Sequence, residues 1–105
     1  KFDLTEIENS IQFTIYDSSQ SHYNWHIDVS NQQASRRKLS MVVQLSDPLD
    51  YEGGDLRIQT SNLVTAGKQR GNSIVFPSTL AHKVNPPTRG TRCSLVAWVC
   101  GAPFR

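Results

Sequence analysis

Cysteine is scarce in this chain of 105 residues: only Cys93 and Cys100 are present. Both fall in one apolar run. If that run is a continuous strand, they lie about 23 Å apart at roughly 3.3 Å per residue, far beyond disulfide reach, and they point to opposite faces. Free thiols and the lack of a zinc-type cysteine pair fit a reducing compartment. No signal-peptide pattern, bilayer-length apolar run, low-complexity tract or internal repeat is present. The expectation is a cytoplasmic protein with no membrane partner. An excess of one charge is missing too: the formal net charge is +2, which gives no ground for a nucleic-acid partner.

A helical period is absent as well, and short β-type patterns take its place. Six glycines and five prolines sit mostly between apolar runs, where turns belong. Strands are expected near Ile11 to Tyr16, Trp25 to Val29, Leu39 to Leu45, Asp55 to Gln59, Asn62 to Thr65, Ser73 to Phe76, His82 to Val84 and Arg92 to Val99. Eight short strands in a chain long enough for one domain, residues 1–105, point to an all-β double-sheet jelly roll with room for a minor N-terminal helix. In the first strand Ile11, Phe13 and Ile15 share one face, and Gln12, Thr14 and Tyr16 share the other. The polar face fits either the inside of a wet mouth or simple exposure.

Chemistry enters with His26 and Asp28, His82 far downstream, and Arg92 ten residues after that. In an extended strand His26 and Asp28 aim at the same point while Ile27 turns away. Two imidazoles and one carboxylate, with the remaining coordination positions free, are what a non-haem Fe(II) oxygenase uses to hold its metal. His82 follows the apolar run Ile74-Val75-Phe76 and is placed to be the third donor. A His-x-Asp pair by itself is common, and histidines in small domains are usually satisfied by ordinary hydrogen bonds, so the pair gains meaning only from the rest. Arg92 opens a β-rich run in which Arg92, Ser94, Val96 and Trp98 share a face. A guanidinium on such a face needs an anion. A bound carboxylate gripped by the arginine fork answers that need, and an ion pair within the protein or an exposed strand end is the plainer alternative.

These residues sit in blocks: Tyr23-Asn24-Trp25-His26-Ile27-Asp28; Leu39-Ser40-Met41-Val42-Val43-Gln44-Leu45-Ser46-Asp47-Pro48; Tyr51-Glu52-Gly53-Gly54-Asp55-Leu56; Phe76-Pro77-Ser78 through His82-Lys83-Val84; and Thr88-Arg89-Gly90-Thr91-Arg92 through Trp98. In order and spacing they resemble the prolyl/lysyl-hydroxylase branch of the Fe(II)- and 2-oxoglutarate-dependent dioxygenases, in particular the bacterial and viral prolyl-4-hydroxylase-like proteins. The resemblance runs from about Ile11 to Arg105 and implies the jelly roll also called a double-stranded β-helix. It implies that His26, Asp28 and His82 ligate Fe(II), and that Arg92 binds the distal carboxylate of 2-oxoglutarate. Tyr16 matches a tyrosine that hydrogen-bonds the co-substrate. Leu56 and Val84 match apolar positions lining its slot, and Trp98 an aromatic at the substrate-facing edge. Where several relatives carry a second tyrosine beside the arginine, this chain has Gln44, which can still donate to a carboxylate.

The activity so implied is oxidative decarboxylation of 2-oxoglutarate with O2 to succinate and CO2, coupled to hydroxylation of an unactivated C–H bond. A proline-containing peptide or protein is the first substrate class, a free amino acid or small metabolite the second, and ascorbate is an optional accessory reductant. A catalytically idle metal- and 2-oxoglutarate-binding jelly roll and a purely structural domain stand as alternatives. Ser30 to Ser35 and Arg36-Arg37-Lys38 match a loop that folds over substrate in relatives, which makes Arg37 a candidate substrate contact against the plainer reading of a solvated basic turn. Tyr51-Glu52-Gly53-Gly54 reads as a turn with glycine-specific angles. His22 reads as a loop residue outside the cluster, and no nucleophile elbow supports a hydrolase. Relatives carry bracing helices before the first strand. Here only Lys1 to Ser10 precede it, so a trimmed or minimal member is expected.

Overall fold

The period-two patterns become ten strands within residues 4–8, 11–17, 23–29 and 36–101, the part of the chain that the computed structural model describes. In order they are β1 (Leu4–Ile7), β2 (Gln12–Asp17), β3 (Tyr23–His26), β4 (Arg37–Gln44), β5 (Tyr51–Gly53), β6 (Leu56–Gln59), β7 (Leu63–Thr65), β8 (Ser73–Pro77), β9 (His82–Val84) and β10 (Pro87–Gly101), with a 3-10 turn at Pro48–Asp50. Among the described residues no helix is long and apolar enough to cross a membrane.

Two antiparallel sheets result. The larger runs β1-β10-β4-β8, with β2 and β5 also paired to β10; the smaller runs β3-β9-β6-β7. Strand β10 organises the larger sheet because it is long enough to hold several partners in succession. It pairs with β5 from Pro87, with β2 over Thr91 to Val96 and with β4 over Ser94 to Cys100. This is the expected jelly roll. Strict alternation along β4 buries Lys38, Ser40, Val42 and Gln44, and β9 buries His82 and Val84 on either side of Lys83. Cys93 and Cys100, both on β10, are free thiols.

Four expectations change. The N-terminal segment holds strand β1, paired to the end of β10, where room for a helix was expected. Tyr51–Gly53 is strand β5, because Tyr51 buries its ring to 2 % exposure while the chain pairs with β10; Gly53 and Gly54, at φ 73° and 65°, then turn the chain out of it. Arg37 and Lys38 begin β4 and do not form a solvated turn. The strand expected over Trp25 to Val29 stops at His26, and Asp28 and Val29 lie in a turn.

The core is small and lies between the sheets. Tyr16, Val42, Leu56, Ile58, Ala66, Phe76 and Val84 are its buried apolar members, with Ile74, Leu80 and Val96 packed on them. The most deeply buried side chains are polar: Arg92, Ser40, Ser78 and Ser94. Since buried polar groups are costly without partners, their partners locate the site.

Candidate functional site

His26, the last residue of β3, stands directly opposite His82, the first of β9. Their rings lie 4.2 Å apart between centroids. Each ring is oriented by its own neighbourhood, with Nδ1 of His26 2.7 Å from the Asn24 carbonyl and Nδ1 of His82 2.9 Å from the Leu80 carbonyl. Donation from Nδ1 leaves Nε2 of each ring with its lone pair facing inward, the arrangement that metal-ligating histidines adopt. Asp28 reaches the same point by a different route from the one its spacing suggests. It is carried there by the turn after β3, where its backbone N–H donates to the Ser78 carbonyl at 2.9 Å. Its Oδ1 lies 3.5 Å from His26 Nε2 and 3.3 Å from His82 Nε2. The three donor atoms lie within 4.8 Å of one another, and two neutral imidazoles with one carboxylate suit a divalent iron ion.

The second carboxylate oxygen faces protein. Ser40 Oγ donates to Asp28 Oδ2 at 2.5 Å and Trp98 Nε1 donates to it at 3.0 Å. Burial alone would raise the Asp28 pKa, but hydrogen bonds from the protonated form of His82, from Ser40 and from Trp98 outweigh it and bring it down to about 2. Burial pushes His26 below the ordinary histidine value. It acts on His82 in the same sense, yet there the bonds to Asp28 and the Leu80 carbonyl outweigh it and the net shift is upward.

Arg92 lies on the inner face of β10 and is 1 % exposed. Its Nε donates to Gln44 Oε1 at 3.2 Å, while Gln44 Nε2 donates to the Gly67 carbonyl at 3.1 Å. Gln44 therefore helps to hold the guanidinium, and it does not line the cavity itself. Both terminal nitrogens of Arg92 are buried without a hydrogen-bond partner. Burial lowers the Arg92 pKa, and charge interactions with Tyr16, Tyr51 and Asp55, together with the nearby Tyr51 hydroxyl, offset part of that. An arginine stays charged under such conditions, so the fork points to an anion. The protein ion pair considered as its plainer partner is absent among the described residues.

One cavity of about 170 Å³ joins these groups. Tyr16, His26, Asp28, Leu56, His82, Val84, Arg92 and Trp98 all line it, as do Gln12, Thr14, Arg37, Ser40, Val42, Phe76, Ser94 and Val96. Every expected site residue except Gln44 therefore faces one space, and the polar face of β2 forms part of its wall. Arg37 joins them because of a β-bulge: pairing of β10 with β4 shifts between Val99 and Cys100 so that Cys100 faces Arg37 and Lys38 is skipped. Its guanidinium lies 3.7 Å from the centroid of the Trp98 ring, and Glu8 grips it at 3.0 and 3.1 Å. Ser40, Ser78 and Tyr51 escaped the sequence reading, for no charge or spacing marks them. His22 and Ser30 to Ser35 lie outside the described residues.

Comparison with known proteins agrees with this geometry. The profile of the 2OG-Fe(II) oxygenase superfamily matches residues 11–100. A PKHD-type hydroxylase of Prochlorococcus marinus is 39% identical over 83 residues, which cover 78% of this chain and 38% of that protein. One from Pseudomonas fluorescens is 40% identical over 83 residues, covering 72% and 37% respectively. The chain thus spans about two fifths of the length of these relatives. Among solved structures, a Pseudomonas putida prolyl-4-hydroxylase superposes with a TM-score of 0.75 at 28% identity, over 94% of this chain and 55% of that one. A Trichoplax adhaerens prolyl hydroxylase bound to a hypoxia-inducible-factor peptide fragment shares the fold, with a TM-score of 0.75 at 21% identity over 92% and 45% of the two chains. On the profile match, the identities and the fold together, this chain belongs to the 2OG-Fe(II) oxygenase superfamily.

Proposed function

We propose that this chain forms the core of an Fe(II)- and 2-oxoglutarate-dependent dioxygenase that hydroxylates an unactivated C–H bond, with a peptidyl proline as substrate. The observation that carries the reading is Arg92: a buried guanidinium with two unpartnered nitrogens, in the same cavity as a His-Asp-His donor set. In this reading His26 Nε2, His82 Nε2 and Asp28 Oδ1 hold the iron. Bound there, Fe(II) supplies the centre at which 2-oxoglutarate and O2 react to succinate, CO2 and the hydroxylated product. Arg92 pairs with the distal carboxylate of 2-oxoglutarate through its fork, and Tyr16 stands beside the guanidinium, its ring centroid 5.3 Å from Cζ. Gln44 keeps the fork aimed. Leu56 and Val84 flank the aliphatic part of the co-substrate and, with Val42 and Phe76, exclude water from the reacting centre. The cavity suits a small dicarboxylate and leaves the substrate to approach from outside. At its wall Arg37 and Trp98 offer a cationic and aromatic surface, and a peptide carbonyl can accept from Arg37.

The proline preference draws on the named relatives and is the part most exposed to test. The chain is incubated aerobically with Fe(II), 2-oxoglutarate, ascorbate and either proline-containing peptides or free proline, and succinate and oxygenated product are followed by mass spectrometry. The reading expects a peptide heavier by one oxygen, with succinate formed in step. Turnover only with free proline would move the substrate to small metabolites, and binding of both Fe(II) and 2-oxoglutarate without turnover on any substrate would favour the idle sensor.

A further inference from the structure

We propose that Ser40 and Trp98 are positioning residues for the metal-binding carboxylate: by donating to Oδ2 of Asp28 they leave Oδ1 as its single metal donor. The inference rests on the metal site proposed above and concerns how that site keeps its open positions. A free aspartate can bind one ion through either oxygen or through both. Chelation through both would take a position that co-substrate or O2 needs.

Here the two oxygens face different surroundings. Oδ1 looks toward His26 and His82. Oδ2 receives the Ser40 hydroxyl at 2.5 Å and the Trp98 indole N–H at 3.0 Å. Both donors are almost wholly buried, Ser40 at 1 % and Trp98 at 5 %, so water does not compete for them. To turn Oδ2 toward an ion the carboxylate would abandon both bonds and strand two buried donors.

The donors are themselves held. Since Ser40 gives its proton to Asp28, its oxygen accepts from Ser78 Oγ, 2.9 Å away. Ser78 is fully buried, and its carbonyl accepts the Asp28 backbone N–H. Two serines from β4 and the β8–β9 connection therefore bracket the carboxylate. Trp98 is pinned from outside by the Arg37 guanidinium on its ring and by its carbonyl, which accepts the Glu8 N–H at 2.8 Å. Its indole N–H is committed to the metal ligand and one ring face to Arg37, a task additional to lining the cavity.

The test compares wild type with Trp98→Phe, Ser40→Ala, the double variant and Ser40→Thr. Phenylalanine keeps a ring beneath Arg37 and removes only the N–H; threonine keeps the hydroxyl. Each protein is checked for folding by circular dichroism and titrated anaerobically with Co(II) and Fe(II), without co-substrate. Dissociation constants and the visible Co(II) spectrum are recorded. Each single variant should bind about 10-fold more weakly and the pair toward 100-fold, with an altered Co(II) spectrum, and Ser40→Thr should return near wild type. Wild-type affinity and spectrum in folded Trp98→Phe and Ser40→Ala would overturn the inference while leaving the metal site standing. A folded wild type that binds neither ion would overturn both. Should Trp98→Phe not fold, Ser40→Ala against Ser40→Thr reads the same coupling through the other donor.

Discussion

A histidine binds a metal only through a free lone pair, so the protonation of His26 and His82 sets when the site can fill. Burial lowers His26, which is therefore neutral near neutral pH, whereas the bonds of His82 to Asp28 and Leu80 raise it. Metal binding must then displace a proton from His82 as the solution becomes acidic. Co(II) affinity is expected to fall about tenfold per pH unit below the raised His82 value; titrations at two pH values either side of neutrality check this, and a pH-independent constant would count against it. Without metal the dependence reverses. The raised His82 stabilises the fold fully below 6.5 and loses that contribution as pH climbs through its folded value, while Asp28 contributes above 3.8 and loses it as pH falls through about 2. Above pH 6.5, where the lowered His26 is largely neutral, the metal-free fold should accordingly lose stability as pH rises through the folded His82 value, read as a falling melting temperature. Arg92→Ala should weaken 2-oxoglutarate binding by about 100-fold and Arg92→Lys by about tenfold, since lysine keeps the charge without the fork. Isothermal titration of the metal-loaded chain measures both. These four ionisable residues were legible because charge and spacing mark them. Ser40 and Ser78 were not, for a serine carries no signal until its partner is known in space, and the contacts of Gln44 with Arg92 and with Gly67, in the loop after β7, needed the fold.

At the scale of elements, alternation served well where strands are regular and failed where they are not. It put Arg92, Ser94, Val96 and Trp98 on one face of β10, and all four line the cavity. It misread His26 and Asp28 as one strand, although a turn brings them together, and it could not foresee the bulge that skips Lys38 and rotates Arg37 onto Trp98. Bulges are set by pairing with another strand, so no period within one strand reveals them. Strand β5 was missed because three residues ending in glycine look like a turn. Its pairing depends on a close crossing: at Gly90, with φ 77°, a Cβ would strike the Asp50 carbonyl and Tyr51 Cα. At Gly71, φ 85°, nothing lies within 4 Å. Gly90→Ala should therefore cost more than about 3 kcal/mol, against about 1–2 kcal/mol for Gly71→Ala, where only the left-handed backbone is strained. Urea denaturation of both variants checks the contrast, and equal losses would refute the crossing as its cause.

For the molecule as a whole, the inside is polar and the outside partly apolar. The cavity and the core share Val42, Leu56, Phe76 and Val84, so the residues that hold the sheets together also dry the site. The outer face of the larger sheet exposes Phe13, Ile15 and Val75 at 58%, 55% and 54%. Apolar exposure on that scale drives association. The isolated chain should bind a hydrophobic dye and self-associate with concentration, and Phe13→Thr with Ile15→Thr should reduce both without loss of metal binding; sedimentation velocity and dye fluorescence decide. The jelly roll was legible from the number and shortness of its strands, whereas the distribution of polarity between inside and outside needed the pairing of β2 with β10. The central claim is that His26, Asp28, His82 and Arg92 form one site for Fe(II) and 2-oxoglutarate. Its most direct test is anaerobic visible spectroscopy of the metal-free chain, titrated first with Fe(II) and then with 2-oxoglutarate. The account predicts a charge-transfer band that needs both additions and is abolished by His82→Ala. A folded chain that gives no band, or a band that survives His82→Ala unchanged, would contradict it.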